Sequence, residues 1–176
     1  MQKTIQIDTR QKMGQKHHLA KEQWFVDNGY AIVKARLLVG DYAFPNKMNV
    51  SVDTKQNELE LYNNLITQHR RFHDECVQAQ TCGIKLCILV ETKNGFLKPE
   101  DILRWENPRM KKYWKEKCKA ERNGLKPPKP PASNVQLLKI MHSMSRDYGV
   151  EFLFCTTEEA APTIVKLLEG TYESRR

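Results

Sequence analysis

No apolar run in the sequence approaches the roughly 18 residues that a membrane-spanning helix requires, so no membrane role is expected. The opening stretch MQKTIQIDTR reaches charge within a few positions and offers neither an apolar signal core nor a small-residue cleavage site, so secretion is not expected. Cysteine is scarce: Cys76, Cys82, Cys87, Cys118 and Cys155 are odd in number and include no Cys-x-x-Cys, which disfavours a disulfide framework or a zinc ribbon. A reducing compartment follows, the cytoplasm, or the nucleus if the source is eukaryotic. Internal repeats are missing as well. Acidic residues are in deficit, 21 against 29 Lys and Arg, and the formal charge of +8 points to a polyanionic partner, with nucleic acid first in line.

What is present fits one domain spanning residues 1–176, a length able to bury a substantial core. Strand and helix signals alternate, which favours an α/β architecture. Residues 4–8 form a short β-branched run. Residues 16–28 read as an amphipathic helix, with Leu19, Trp24 and Val26 among its apolar positions and Asn28-Gly29 as its stop. A strand over 31–38 breaks at Gly40-Asp41. Over 49–55 strict alternation sends Val50, Val52 and Thr54 to one face, taken as core, and Ser51, Asp53 and Lys55 to the other, taken as chemistry. Residues 58–78 are long enough for a helix burying Leu61, Leu65 and Phe72. The run 84–90 is apolar almost throughout, as a strand covered on both faces would be. Ser133 or Asn134 can cap a helix to about residue 147 that Gly149 closes. A buried strand over 150–155 and a last helix from Thr156 to Leu168 complete the reading.

The positive charge is concentrated. Between Arg104 and Lys129 stand ten basic and three acidic residues, nearly the whole net charge, in a stretch ending in the helix-incompatible run KPPKPP. Residues 92–132 therefore read as an insertion that carries the polyanion-binding charge. Trp105, Tyr113 and Trp114 are interleaved with its cations and can either stack on bases or anchor the insertion to the domain.

A second pattern carries chemistry. Phosphodiester hydrolysis at neutral pH calls for one or two divalent ions, and hard carboxylate oxygens are the ligands that suit magnesium or manganese. Asp41 sits at a strand break, Asp53 follows on a strand, and Lys55 projects from the same strand face as Asp53. An ammonium placed there can orient the attacking water or stabilise charge growing on the phosphate without competing for metal. Taken alone, the three residues also fit a solvated strand face with an incidental ion pair.

The surrounding residues add to that pattern. Ile5-Gln6-Ile7-Asp8-Thr9-Arg10, Val39-Gly40-Asp41-Tyr42, Val52-Asp53-Thr54-Lys55, Glu60-Leu61, Arg71-Phe72 and the apolar strand ending in Glu91 follow one another in the order and spacing of a known family. The sequence resembles the nuclease domain of the XPF/Mus-type structure-specific endonucleases, within the PD-(D/E)XK superfamily, over nearly everything except 92–132. The resemblance implies a restriction-endonuclease-like mixed central sheet flanked by helices. It also implies a metal-dependent DNA endonuclease using Mg2+ or Mn2+ on branched or flapped DNA.

By that analogy Asp41 and Asp53 ligate metal with the Thr54 carbonyl, and Lys55 handles the water. Asp8 and Glu60 complete the acidic cluster, and Arg10 and Arg71 steer phosphate. Three departures are visible: Asp53 replaces the family's glutamate, Thr54 replaces its arginine, and Glu60 falls one residue late, leaving Glu58 as a rival. Asp8 can bind a second metal or a water, or simply pair with Arg10.

Family members usually continue into helix-hairpin-helix modules that grip DNA. The insertion, with Lys111, Lys112, Lys115 and Lys117, is the expected substitute. The resemblance further suggests a homodimer, or a heterodimer with another nuclease-family chain. Two other readings share the pattern: a non-catalytic DNA-binding or scaffold subunit, and a Holliday-junction-resolvase or restriction-type enzyme on the same core. His69, His73 and Cys76, at helical spacing, suggest either a soft-metal row or a partly solvated helix face.

Overall fold

The computed structural model describes residues 3–10 and 16–173. In chain order the main elements are β1 (Lys3–Ile7), α1 (Lys16–Asp27), β2 (Tyr30–Lys34), β3 (Tyr42–Phe44), β4 (Lys47–Lys55), α2 (Glu58–Tyr62), α3 (His69–Thr81), β5 (Lys85–Glu91), α4 (Pro108–Arg122), α5 (Asn134–Tyr148), β6 (Glu151–Cys155) and α6 (Ala160–Glu169). A π-helical turn, Asn63–Thr67, joins α2 to α3, and a 3-10 turn, Pro99–Arg104, precedes α4. The six strands make one mixed sheet in the order β2-β1-β3-β4-β5-β6. β1 and β2 are parallel, as are β4, β5 and β6, whereas β3 runs antiparallel to both its neighbours.

Alternation along each strand creates two cores. Leu86, Ile88 and Val90 of β5 face α2, α3 and α5 with Leu61, Leu65, Phe72 and Met141. Cys87 and Leu89 face the other way with Val50, Val52, Phe25 of α1 and Ile164 of α6. A sheet with helices on both faces must bury both sides of its central strands, which is why β5 is apolar from Leu86 to Val90. Among the described residues no helix is long and apolar enough to cross a membrane.

Several expected elements change shape. The second strand stops at Lys34, short of residue 38; beyond it side chains meet the next carbonyls, Gln6 Nε2 donating to Ala35 and Arg36, and Arg10 to Leu37. The three-residue β3 has no counterpart among the sequence-based expectations, being too short to show a period. The helix expected over 58–78 is broken at Gln68 by the π turn and resumes to Thr81.

In α1 the inward residues are Lys21 and Phe25, at 2% and 0% exposure, while Leu19 and Val26 are exposed. Lys21 can sit there because it forms a buried ion pair with Glu91 at the end of β5. Ser133 caps α5 in a capping box with Gln136, and Gly149 ends it in the left-handed conformation, as expected. Phe96, Ile102 and Trp105, expected within the insertion, belong to the core around α5, whereas α4 buries no residue.

Candidate active site

Polar side chains from five segments meet in one cavity of about 640 Å3: the stretch after β1, His18 of α1, the β2–β3 connection, the end of β4, and the run from α2 to α3. The β2–β3 connection depends on Gly40. Its φ is +71°, and a Cβ there would collide with the Ser51 hydroxyl, so glycine alone fits. Its N–H donates to Glu75 Oε1 at 2.9 Å, and the Asp41 N–H donates to the Val52 carbonyl at 2.8 Å. Asp41 is thus held against β4, where its Oδ2 accepts from both the N–H and the hydroxyl of Thr54 at 2.9 Å each.

Asp53 and Lys55 leave β4 on the side of α2 and α3. That face is polar but closed: the two residues are only 5% and 6% exposed. Lys55 Nζ donates to both Asp53 carboxylate oxygens, at 2.8 and 2.7 Å. Burial pushes the Asp53 carboxyl up to about 8; Lys55 opposes that rise, while the Asp41 and Glu75 charges add to it. Burial also works against the Lys55 charge, but Asp53 and Asp41 outweigh it and hold the ammonium above its ordinary value. Converging acids in a buried place form a setting that a divalent cation relieves, and Lys55 is the cation that answers Asp53 here.

The remaining candidates separate by their partners. Asp8 accepts from the Arg10 N–H at 2.6 Å and Nε at 2.8 Å on one oxygen, and from Arg10 at 3.0 Å and the Leu37 N–H at 2.7 Å on the other. Burial resists its ionisation, but these donors outweigh burial and lower its pKa. Of the roles open to Asp8, the ion pair with Arg10 is the one the geometry displays. Glu58 is 4% exposed and turns to the β5 exit, accepting from the Thr92 hydroxyl and from Asn94 Nδ2. Glu60 lines the cavity instead, its carboxylate accepting the Gln56 N–H at 2.7 Å. Arg71 lines it from α3.

Lys111, Lys112, Lys115 and Lys117 do not line that cavity; they lie along α4. The root of α4 is nonetheless tied to it. Arg109 donates to Asn63 Oδ1 at 2.6 Å, its guanidinium sits 5.5 Å from the Tyr62 ring centroid, and Asn63 belongs to the π turn lining the cavity. The suggested soft-metal row is otherwise engaged: His69 Nδ1 lies 3.0 Å from the Leu65 carbonyl, His73 Nε2 lies 2.7 Å from the Tyr148 hydroxyl, and Cys76 is core. Among the described residues no three His, Cys, Asp or Glu side chains stand ready-made to clasp a metal ion.

No protein-family model matches the chain, and no curated protein resembles it closely enough in sequence to count as a relative. Solved structures do match. XPF from Aeropyrum pernix superposes with a TM-score of 0.57 at 16% identity, covering 96% of this chain and 64% of that one. A second structure, XPF from Aeropyrum pernix in complex with DNA, gives 0.56 at the same identity and coverage. The fold is XPF-like.

The chain spans 64% of the length of those XPF structures, and at 16% identity the likeness concerns the fold. On that XPF-like frame Asp8, Arg10, Asp41, Asp53, Thr54, Lys55, Glu60 and Arg71 line one cavity. Sequence reasoning missed Glu75, whose carboxylate receives Gly40 and whose charge acts on both Asp53 and Arg10. One signal was there: Glu75 lies four residues after Arg71, so both share a helix face. Asn63, Asn64 and Gln68 were missed too, because nothing in the sequence announced the π turn that turns them into the cavity.

Proposed function

We propose that the chain is a metal-dependent endonuclease that hydrolyses phosphodiester bonds in branched or flapped DNA. The observation that carries this reading is the meeting of Asp41, Asp53 and Lys55, from separate segments, in one cavity of an XPF-like fold. The chemistry of the donors suits Mg2+ or Mn2+: Asp41 and Asp53 would hold the ion, with the Thr54 carbonyl as a neutral oxygen. When bound, the ion supplies charge neutralisation at the phosphate and acidifies a water.

The chain's own groups divide the rest. Lys55, once Asp53 turns to a cation, is free to hold the attacking water or the phosphate oxygen on which charge builds. Arg10, aimed by Asp8, and Arg71 hold the phosphate, while Glu60 adds to the acidic wall. The reaction places a hydroxyl on phosphorus, breaks one P–O ester bond and delivers a proton to the departing oxygen. An XPF structure in complex with DNA supports the choice of nucleic acid, and the charge of α4 supports sequence-independent grip. Pairing with a second copy, or with another nuclease-type chain, is the proposed assembly.

Labelled linear, flap and four-way DNA incubated with Mg2+, Mn2+ or EDTA tests the proposal. Cutting that needs the metal and favours branched substrates is expected. Binding without cutting under every condition would establish the second reading, a non-catalytic DNA-binding subunit, which one observation favours: Lys55 occupies both oxygens of Asp53.

A further inference from the structure

Helix α4 carries seven basic residues against two acidic ones, and none of its residues is fully buried. Its inward stripe is only half-buried, so most of its surface is turned to solvent. Its half-buried row is Met110, Tyr113, Lys117 and Ala120, at helical spacing. The outward row is different. Trp114, Lys115, Cys118, Lys119, Arg122 and Asn123 line a shallow groove of about 620 Å3 along one helix face.

Trp114 in that groove is 52% exposed, whereas Trp105, at the foot of the same segment, is 8% exposed and packs on Tyr62. The two aromatics have thus parted: one anchors and one faces out. The outward indole is held in place, with Lys117 Nζ 4.9 Å from its centroid and Tyr113 meeting it edge-on at 5.3 Å.

We infer that this face of α4 is a binding site for single-stranded nucleic acid, with Trp114 stacking on an unpaired base and Lys115, Lys119 and Arg122 meeting the flanking phosphates. The inference deepens the nucleic-acid reading above and rests on it. Cations alone suit any phosphate backbone. An exposed indole among them adds a flat apolar surface, and unpaired bases offer their ring faces to such a surface while paired bases keep theirs stacked. The Arg109–Asn63 bond ties the root of this helix to the wall of the acidic cavity, so a strand lying along α4 is led toward Asp41 and Asp53.

The test is fluorescence anisotropy of the full chain in EDTA with labelled oligothymidylate and with a blunt, loop-free two-strand duplex of equal phosphate number. Trp114→Ala is expected to weaken the single strand by roughly 5- to 150-fold, the range for losing one stacked base, and the duplex by less than about twofold. Trp114→Phe is expected to keep most of the affinity, since a ring face remains, and it also guards against a folding failure of the alanine variant. Equal loss on both ligands, no loss on the single strand, or preference of the wild type for duplex would overturn the site. EDTA separates the two readings: a wild type that cuts no DNA with metal, yet shows this stacking signature, loses the nuclease proposal and keeps the α4 site.

Discussion

In the cavity, Asp8, Asp41, Asp53 and Lys55 are each met by donors or acceptors of the protein itself. Along α4 most charges stand in water: the pairs Lys111 with Glu106 and Lys112 with Glu116 are exposed, and Lys117 with Glu121 is partly so. Exposed pairs of this kind contribute little to stability, so α4 can exchange these partners for phosphates at small cost. Buried groups cannot do that without changing protonation or acquiring a cation. Under the proposed function the contrast becomes a division of labour: fixed, costly electrostatics at the proposed site of bond breaking, and loose, salt-sensitive electrostatics on the helix proposed to hold a polyanion.

The sharpest way to break the contrast is Asp53→Asn. Cleavage should fall to background while DNA affinity in EDTA stays equal or tightens, because a negative charge facing phosphate is gone. Cutting at the wild-type rate would remove Asp53 from the site.

Lys55→Ala comes next. The rate should drop by orders of magnitude, and the burial of Lys55 adds a cost in stability that a merely polar strand face would not. Breaking a buried pair costs about 3–5 kcal/mol when the surviving charge persists. Asp53 can escape by taking a proton. Its folded pKa is already raised to about 8, so below that pH the folded variant binds the proton more tightly than the unfolded chain does and its loss is relieved. The deficit against wild type in urea melts should therefore grow as pH rises through 8. A deficit that does not change with pH would show that Lys55 is held by packing alone.

The same acid sets a milder expectation for wild-type activity. A metal requires the carboxylate, so at limiting Mg2+ the rate should decline by up to about tenfold per pH unit below 8, with the profile moving to lower pH as Mg2+ is raised. A profile indifferent to metal concentration would detach Asp53 from metal binding.

The smallest effect is expected on α4, and it touches affinity only. Replacing Lys111, Lys112, Lys115 and Lys117 by Gln should lower duplex affinity alike for all sequences. The log–log salt slope should shrink by roughly 0.9 for each phosphate that is no longer neutralised. Three of the four lysines already have carboxylate neighbours, so the slope should shrink by less than full neutralisation of one phosphate per lysine would give. Saturating DNA should restore the cleavage rate, and an unchanged slope would take the grip away from α4.

Particular residues show how much of this was open to sequence reading. Strict alternation put Asp53 and Lys55 on one face of β4, and Gly-Asp marked the turn that delivers Asp41, because strand period and glycine's freedom at positive φ are local properties. The apolar run of β5 and the caps Ser133 and Gly149 were equally local. Leu19 and Val26 misled the reading of α1, since a lysine on the inner face is stable only through a distant glutamate. Glu58 and Glu60 could not be told apart by spacing. One faces Thr92 and Asn94, the other the cavity, and that depends on where the chain after β5 passes.

The sequence by itself determined the strand and helix periods, the excess of positive charge and its concentration near α4, and the acids and lysine available for chemistry. All of these depend on residue type and on spacing within a few positions. Tertiary structure alone decided that Asp8 serves Arg10, that Glu75 joins the cavity through Gly40, and that Trp105 anchors while Trp114 faces solvent. Burial, desolvation and pairing across long stretches of chain arise only when separate segments are brought together, and no window of sequence contains them.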